Sequence, residues 1–332
     1  MLKAILGRLA LVAFGTALAL ALSEVGVRVY VRMQARSLVP RGYVRSDVPG
    51  IEYLPGPNMR LISSRPFSNN LGLINAADTT VQKPSDVFRV LVVGDSVAQV
   101  VMDMNEQDPR FHETLFTSRL ERLLRTTTGR DVEVLNLSAA GLSLAQELIL
   151  LRTRGLPLDP DVVLFAYCYN DPVETPVWNL ANEPITFPAL VWLATWLYDG
   201  HAQRVREGDW YAPGPTYQRL EQSFAEVGAL AATRNVAVIG LPMLWNDAAR
   251  QTHLPKVEEL AAHNHVPYID LWACLRPLDP EQWTSRGDPR DHIHYTAPVH
   301  RLVAETLAAV IAPSVTQQTW PPAARPDTCP SP

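Results

Sequence analysis

The stretch FRVLVVGDSVAQ, residues 88–99, decides the fold. Val90 to Val93 form an unbroken aliphatic run, the composition of a strand buried on both faces, and such strands belong to parallel sheets covered by helices. The run stops at Gly94, Asp95 and Ser96. Small and polar residues suit the carboxyl end of a central strand, where open α/β sheets bind their ligands. Ser96 is therefore the first candidate for chemistry.

Working outward, strand-like runs recur at Val132 to Leu137, Val162 to Tyr169, Val236 to Leu244 and Val266 to Leu271. Between them lie helix-like stretches: HETLFTSRLERLLRTTTG, SLAQELILLRTRG, TYQRLEQSFAEVGALAATRN and THLPKVEELAAHNH, with APVHRLVAETLAAVIA last. In the third, Leu220, Phe224, Val227, Leu230 and Ala231 recur at three- and four-residue spacings and share one helix face. Alternation of strand and helix, with five strand-like runs, predicts a mostly parallel five-stranded sheet.

The chain has 332 residues, 47% of them hydrophobic, enough for a large buried core. A net charge of -5 supplies no basic field for a phosphate backbone, which argues against a nucleic-acid partner and for a small molecule or glycan. Three cysteines, Cys168, Cys274 and Cys329, are too few for a disulfide framework and lack metal-ligand spacing. Cys168, inside the apolar run VVLFAYCYND, reads as a small buried hydrophobe. Cys274 and Cys329 can pair in an oxidising compartment, but spacing alone does not say that they do.

The N-terminus carries an uncharged apolar stretch from Leu9 to Ser23 behind Lys3 and Arg8. That stretch is shorter than the roughly 20 residues needed to cross hydrocarbon, but Ile5, Leu6 and the Val25 to Val31 continuation extend it if Arg8 and Arg28 snorkel. It reads as a signal anchor over residues 1–35. A cleaved signal peptide is the rival, with small-residue sites at Ala17-Leu18-Ala19 and Ala19-Leu20-Ala21. Arg28, Arg32, Arg36 and Arg41 outnumber the basic residues before the segment, and that count by itself keeps the body in the cytoplasm.

Residues 36–86 form a polar stem rich in Pro, Gly, Asn and Ser, with short strands expected around Tyr53 and Met59 to Ile62. The α/β body covers 87–312, and a Pro-rich tail occupies 313–332. One segment breaks the rhythm of the body. Residues 172–215 hold Trp178, Trp192, Trp196 and Trp210 and the apolar piece TFPALVWLATWLYDG, an excursion that reads as a lid, a packed insertion or a bilayer contact.

A serine hydroxyl is a weak nucleophile and needs a base oriented by a third group. Near the end of the body, RGDPRDHIHYTAPVH spaces Asp291 and His294 as D-x-x-H just before the last helix, so that one loop presents both side chains to one point. His292 with Asp288, and His300 in the following helix, are alternatives. A tetrahedral intermediate needs donors aimed at its oxyanion. Gly141 in NLSAAGLS offers a bare backbone N–H, and Asn170 in FAYCYND offers a side-chain amide. Either residue taken alone also fits a turn or a loop cap. Asp95 reads as a hydrogen-bond holder of the Ser96 turn, and Asp270 in YIDLW as a loop or cap contact.

Together these residues resemble the SGNH (GDSL-type) hydrolase family: GDS at Gly94 to Ser96, Gly141, ND at Asn170 and Asp171, and DHIH at Asp291 to His294, in family order across roughly Val87 to Ala312. The resemblance implies a three-layer α/β/α, flavodoxin-like fold. It implies Ser96 as nucleophile, His294 as base, Asp291 as its orienter, and an oxyanion hole from the Ser96 N–H, the Gly141 N–H and the Asn170 amide. It implies no metal and no organic cofactor. The apolar N-terminus followed by FSNNLGLI and GDS resembles an anchored subgroup of that family whose catalytic body is exported. The chain departs from the family in VAQVV after the serine and in the aromatic excursion, which leaves acyl pocket and substrate open.

The expected function is ester hydrolysis on an ester-bearing small molecule, glycan or lipid, with the membrane met through the N-terminal segment. Transfer of an acyl group to a glycan by the same residues is the alternative. A non-catalytic membrane-associated assembly factor is a second alternative, and the sequence does not specify an oligomeric state. A dinucleotide site fits poorly, because VLVVGDS lacks the further glycines that pyrophosphate binding needs.

Overall fold

The computed structural model describes residues 2–38, 43–60, 66–99, 111–173, 188–194, 210–242, 247–275, 294–317, 320 and 329–330. They fall into two compact units: Met1–Pro40 with Thr175–Asp209, and Arg41–Glu174 with Trp210–Pro332. In chain order the helices are α1 (Leu2–Leu38), α2 (Ser96–Gln99), α3 (Phe111–Thr114), α4 (Phe116–Thr128), α5 (Leu144–Leu150), α6 (Pro215–Ala231), α7 (Asp247–His263), α8 (Trp272–Leu275) and α9 (Ala297–Gln317). The strands are β1 (Tyr43–Arg45), β2 (Tyr53–Pro55), β3 (Phe88–Gly94), β4 (Val132–Ser138), β5 (Val162–Tyr167), β6 (Val236–Gly240) and β7 (Tyr268–Asp270).

In the larger unit β3 to β7 form one parallel sheet in the order β4-β3-β5-β6-β7. Side chains alternate across each strand, so one strand feeds two cores. Val90 and Val92 of β3 pack with Phe116, Leu120 and Leu124 of α4 and with Val299, Leu302, Val303, Leu307 and Ile311 of α9. Leu91 and Val93 face the other way, onto Leu144 and Leu148 of α5, Leu220, Phe224 and Val227 of α6, and Val257 and Leu260 of α7. All four β3 residues are fully buried, each contributing about 1.5–3 kcal/mol by leaving water. The result is the three-layer, flavodoxin-like arrangement expected from the sequence.

Arg89 is the exception within that run, and it is fully buried as well. Its guanidinium donates to Glu133 and to the carbonyl oxygen of Leu158, so the charge is paired and hydrogen-bonded at the amino-terminal edge of the sheet.

Residues 43–60 and 66–86 pack onto this body. β1 and β2 pair as a small antiparallel hairpin, and an isolated bridge joins Arg60 to Pro66. Asn69 organises the turn that follows: its Oδ1 accepts from the N–H groups of Leu71 and Leu73, and its Nδ2 donates to the Ala77 carbonyl and Thr79 Oγ1. Ile74 and Asn75 then hydrogen-bond along the edge strand β4. The last helix also exceeds its expected end, running through Pro313 to Gln317.

In the smaller unit, α1 contains a 29-residue apolar span, Ile5–Met33, whose most apolar 18-residue window has a mean hydropathy of 2.1 and no buried residue. At 1.5 Å per residue it is about 44 Å long, enough to cross a bilayer by length and composition, as a signal sequence near an N-terminus also is. A helical turn at 189–194 belongs to the same unit. The Ala189 N–H donates to Glu24, and Val31 and Ala189 are buried together beside Trp192 and Leu193.

Candidate active site

Strand order fixes where a site can form. From β3 the chain moves to one side for β4 and to the other for β5, so the crevice at the carboxyl ends of β3 and β5 is the topological switch point of the sheet. Gly94, Asp95 and Ser96 leave β3 there, and Cys168 to Asp171 leave β5 beside them.

Gly94 is required by contact. A Cβ at this position would stand 2.8 Å from the Ala98 Cβ and 3.0 Å from the Ala166 Cβ, so only glycine lets α2 fold back against β5. Asp95 follows, fully buried. Its Oδ1 accepts from the Val97 N–H at 2.8 Å, and its Oδ2 accepts from Asn170 Nδ2 at 2.9 Å. The aspartate thus caps the short helix that begins at Ser96 and ties the β3 turn to the β5 turn. Burial pushes the Asp95 carboxyl up from its ordinary value; the Val97 N–H, the Asn170 amide, the charge of His294 and the Ser96 N–H pull it back.

That last group of influences locates the expected residues. Asn170 and the Ser96 backbone both address Asp95, and His294 is near enough for its charge to act on the same carboxyl. His294 is itself almost wholly buried and precedes α9; its neighbour Tyr295 donates a hydrogen bond to the Pro242 carbonyl after β6. Gly141 lies in the turn after β4 with φ 74°, a left-handed conformation that favours glycine. The same turn is held by the Ala139 N–H on the Gly94 carbonyl and by the Ala140 N–H on the Tyr43 hydroxyl. Asp291, with the alternatives His292 and Asp288, lies outside the described residues.

The other candidates take structural positions. Asp270 Oδ1 accepts from the Trp272 N–H at 2.8 Å and caps α8. His300 is fully buried on α9, stacked on Phe116, and its Nδ1 accepts from the Phe116 N–H at the start of α4. Burial first, then the charges of Arg119 and His294, push its pKa down to about 3, so it is a neutral acceptor at ordinary pH. Cys168 is a buried free thiol pushed up by burial. Cys274 and Cys329 form a disulfide that fastens residue 329 to α8. Among the described residues no group of three or more His, Cys, Asp or Glu side chains is arranged to hold a metal ion.

Two features escaped the reading of the sequence. Tyr43, from β1, donates its hydroxyl hydrogen to Gln99 Oε1 at 2.7 Å while accepting from the Ala140 N–H, and so links α2 to the Gly141 turn. No local pattern signals a contact across 97 residues. Glu147 is the other. It lies fully buried on α5, and Leu144, Glu147, Leu148 and Leu151 recur at helical spacing, so a helical projection of SLAQELILL does reveal an acid on the apolar face.

No family model and no curated protein matches the sequence. Solved structures do resemble it at low identity. An alpha/beta hydrolase enzyme from the metagenome of Lake Arreo, Spain, is 16% identical over 72% of this chain and 99% of its own, with a TM-score of 0.45. An acetyl xylan esterase from Geobacillus stearothermophilus is 16% identical over 65% of this chain and 91% of its own, TM-score 0.42. A lipase/acylhydrolase from Enterococcus faecalis is 17% identical over 70% of this chain and 96% of its own, TM-score 0.42. The activities named belong to those proteins.

Proposed function

We propose that this chain is a membrane-anchored serine ester hydrolase of the SGNH type, removing acetyl or short acyl groups from a glycan, lipid or small ester. The observation that carries the reading is the hydrogen bond between Asp95 and Asn170, which joins the Ser96 turn and the Asn170 turn at the switch point of the sheet, with the charge of His294 felt at the same carboxyl.

In this reading the Ser96 hydroxyl oxygen attacks the acyl carbonyl carbon, and its proton passes to His294. Asp291 orients the imidazole and stabilises the imidazolium. Negative charge on the former carbonyl oxygen is met by the Ser96 N–H, the Gly141 N–H and the second hydrogen of the Asn170 amide. The intermediate collapses, the alcohol leaves with the proton from His294, and an acyl group remains on Ser96. Water, deprotonated by His294, then attacks the acyl carbon; the carboxylic acid departs and Ser96 recovers its proton. No cofactor enters any of these steps.

The body is proposed to lie on the exported side of the membrane. The Cys274–Cys329 disulfide supports this side, since such bonds persist in oxidising compartments, and it weighs against the arginine count after α1.

The test uses the full chain in detergent. Wild-type protein is expected to hydrolyse an aryl acetate and to be labelled by a fluorophosphonate, and Ser96→Ala to lose both while keeping its circular dichroism. Undiminished turnover by a folded Ser96→Ala variant refutes the reading. With a glycan acceptor present, the appearance of acylated glycan in place of free acid identifies a transferase.

A further inference from the structure

The buried acid Glu147 has no role in the scheme above, and its surroundings are unusual. α5 opens with a capping box in which Ser143 and Gln146 satisfy one another's backbone groups. Glu147 comes next, fully buried, and neither of its carboxyl oxygens has a hydrogen-bond partner. An ionised carboxylate cannot be kept in such a place without donors, so the group is a neutral acid whose O–H requires an acceptor.

One acceptor is suitably placed. Asp171 is 1% exposed; its Oδ2 accepts from the Cys168 N–H at 2.9 Å, and its Oδ1 has no partner. The Asp171 carbonyl accepts from the Leu144 N–H at 3.0 Å, which seats the Cys168–Asp171 turn on the first turn of α5. Leu144 and Glu147 are three apart on one helix face, and helical side chains slope toward the N-terminus, which is the end of α5 on which Asp171 is seated. Asn136 Oδ1 and Ser138 Oγ, also buried without partners, lie on the opposite face of β4 from Leu135 and Leu137, away from α5.

We infer that Glu147 donates its single proton to Asp171 Oδ1, and that this acid–carboxylate pair fixes the turn on which the Asn170 amide is presented. Glu147 and Asp171 are then positioning residues, and their effect on turnover rests on the hydrolase reading given above. A continuous chain results: Asp95 accepts from Asn170, Asn170 adjoins Asp171, and Asp171 accepts from Glu147. Burial holds both carboxyls well above the usual range, Glu147 further by the charges of Asp171 and Asp95 and Asp171 further by that of Asp95, while the Cys168 N–H pulls Asp171 back, which agrees with a proton kept within the pair. The other titratable groups turned toward the pair are Tyr167, Cys168 and Tyr211, each held in its neutral form by burial, and His294 beyond Asp95.

Infrared difference spectra of the full-length wild type against Glu147→Gln at neutral pH test the proton directly. A protonated-carboxyl carbonyl band that disappears in the variant is the expected result, and its absence from the wild type overturns the inference. The linkage has a definite sign: a carboxyl whose folded pKa is raised stabilises the protein at low pH and loses that contribution as pH rises through the folded pKa. Wild-type melting temperature is therefore expected to fall as pH rises from the ordinary carboxyl value of 4.5 toward the raised folded value, and Glu147→Gln to flatten that fall; an identical slope in both proteins counts against the pair. In turnover, Glu147→Leu is expected to lower kcat on the order of tenfold with KM little changed, and Glu147→Gln, whose amide still donates to Asp171, to restore most of it. Equal kcat in folded wild type and Glu147→Leu refutes the positioning role. The infrared and melting readouts judge the shared proton even if Glu147→Leu does not fold, or if the wild type proves to hydrolyse no ester.

Discussion

Replacing Asn170 by alanine removes a donor that the proposed reaction uses twice. Asn170 Nδ2 donates one hydrogen to Asp95 Oδ2, with nitrogen and oxygen 2.9 Å apart, and the other is proposed to meet the oxyanion. The first loss is structural. A hydrogen bond to a buried carboxyl is worth about 1–3 kcal/mol, and Asp95 has no exposed surface through which water could replace it. A destabilisation of about 2 kcal/mol lowers the Tm of a domain this large by roughly 4–8 °C. The second loss is kinetic. Removing one oxyanion donor costs about 10²–10³ in kcat, and KM changes little because the donor acts on the tetrahedral species and not on the bound ester. The assay pairs aryl acetate kinetics with thermal unfolding on the same preparation. A folded Asn170→Ala protein with the lowered Tm but kcat within about threefold of wild type refutes the reasoning, since it leaves Asn170 with Asp95 as its whole purpose.

Two further outcomes follow from buried groups. His300 stays neutral in the folded protein down to about pH 3, whereas an unfolded histidine takes up a proton near pH 6.5. Stability is therefore expected to be full above pH 6.5 and to decline as pH falls toward 3, by up to about 5 kcal/mol. Urea unfolding at several pH values should show a shallower acid limb for His300→Asn, which cannot titrate there; equal limbs count against the assignment. The disulfide closes a 55-residue separation, so reduction or Cys329→Ser is expected to remove about 4 kcal/mol and lower the Tm by roughly 10 °C. A Tm indifferent to reductant means that the two thiols are unpaired in the protein.

Much of the sheet was legible because its signals are local. Val90 to Val93 form a run that only a doubly covered strand explains, and the spacing of Leu220, Phe224 and Val227 is a helix face by inspection. Strand ends were read too long: β5 stops at Tyr167 because Cys168 and Tyr169 already belong to the turn held by Asp171. The GDS stretch announced its position but not its internal bonding. That Asp95 is clamped by Asn170 depends on two strands being neighbours in the sheet, and strand order is not written in either segment. The residues before the body were the least legible. Polar composition and short strands could be read there, but not the long-range bonds by which Tyr43 reaches Gln99 and Ala140 and Asn75 reaches β4.

The pairing of Glu24 with the Ala189 N–H, and of Val31 with Ala189, bears on how the protein is best prepared. Cutting the chain after residue 35 to obtain a detergent-free form deletes both partners. The amide of Ala189 would lose its carboxylate acceptor, and a small apolar surface beside Trp192 and Leu193 would be opened to water. Such a shortened protein should clump more readily than its net charge suggests, and exchanging Ala189 and Leu193 for polar residues is the natural remedy.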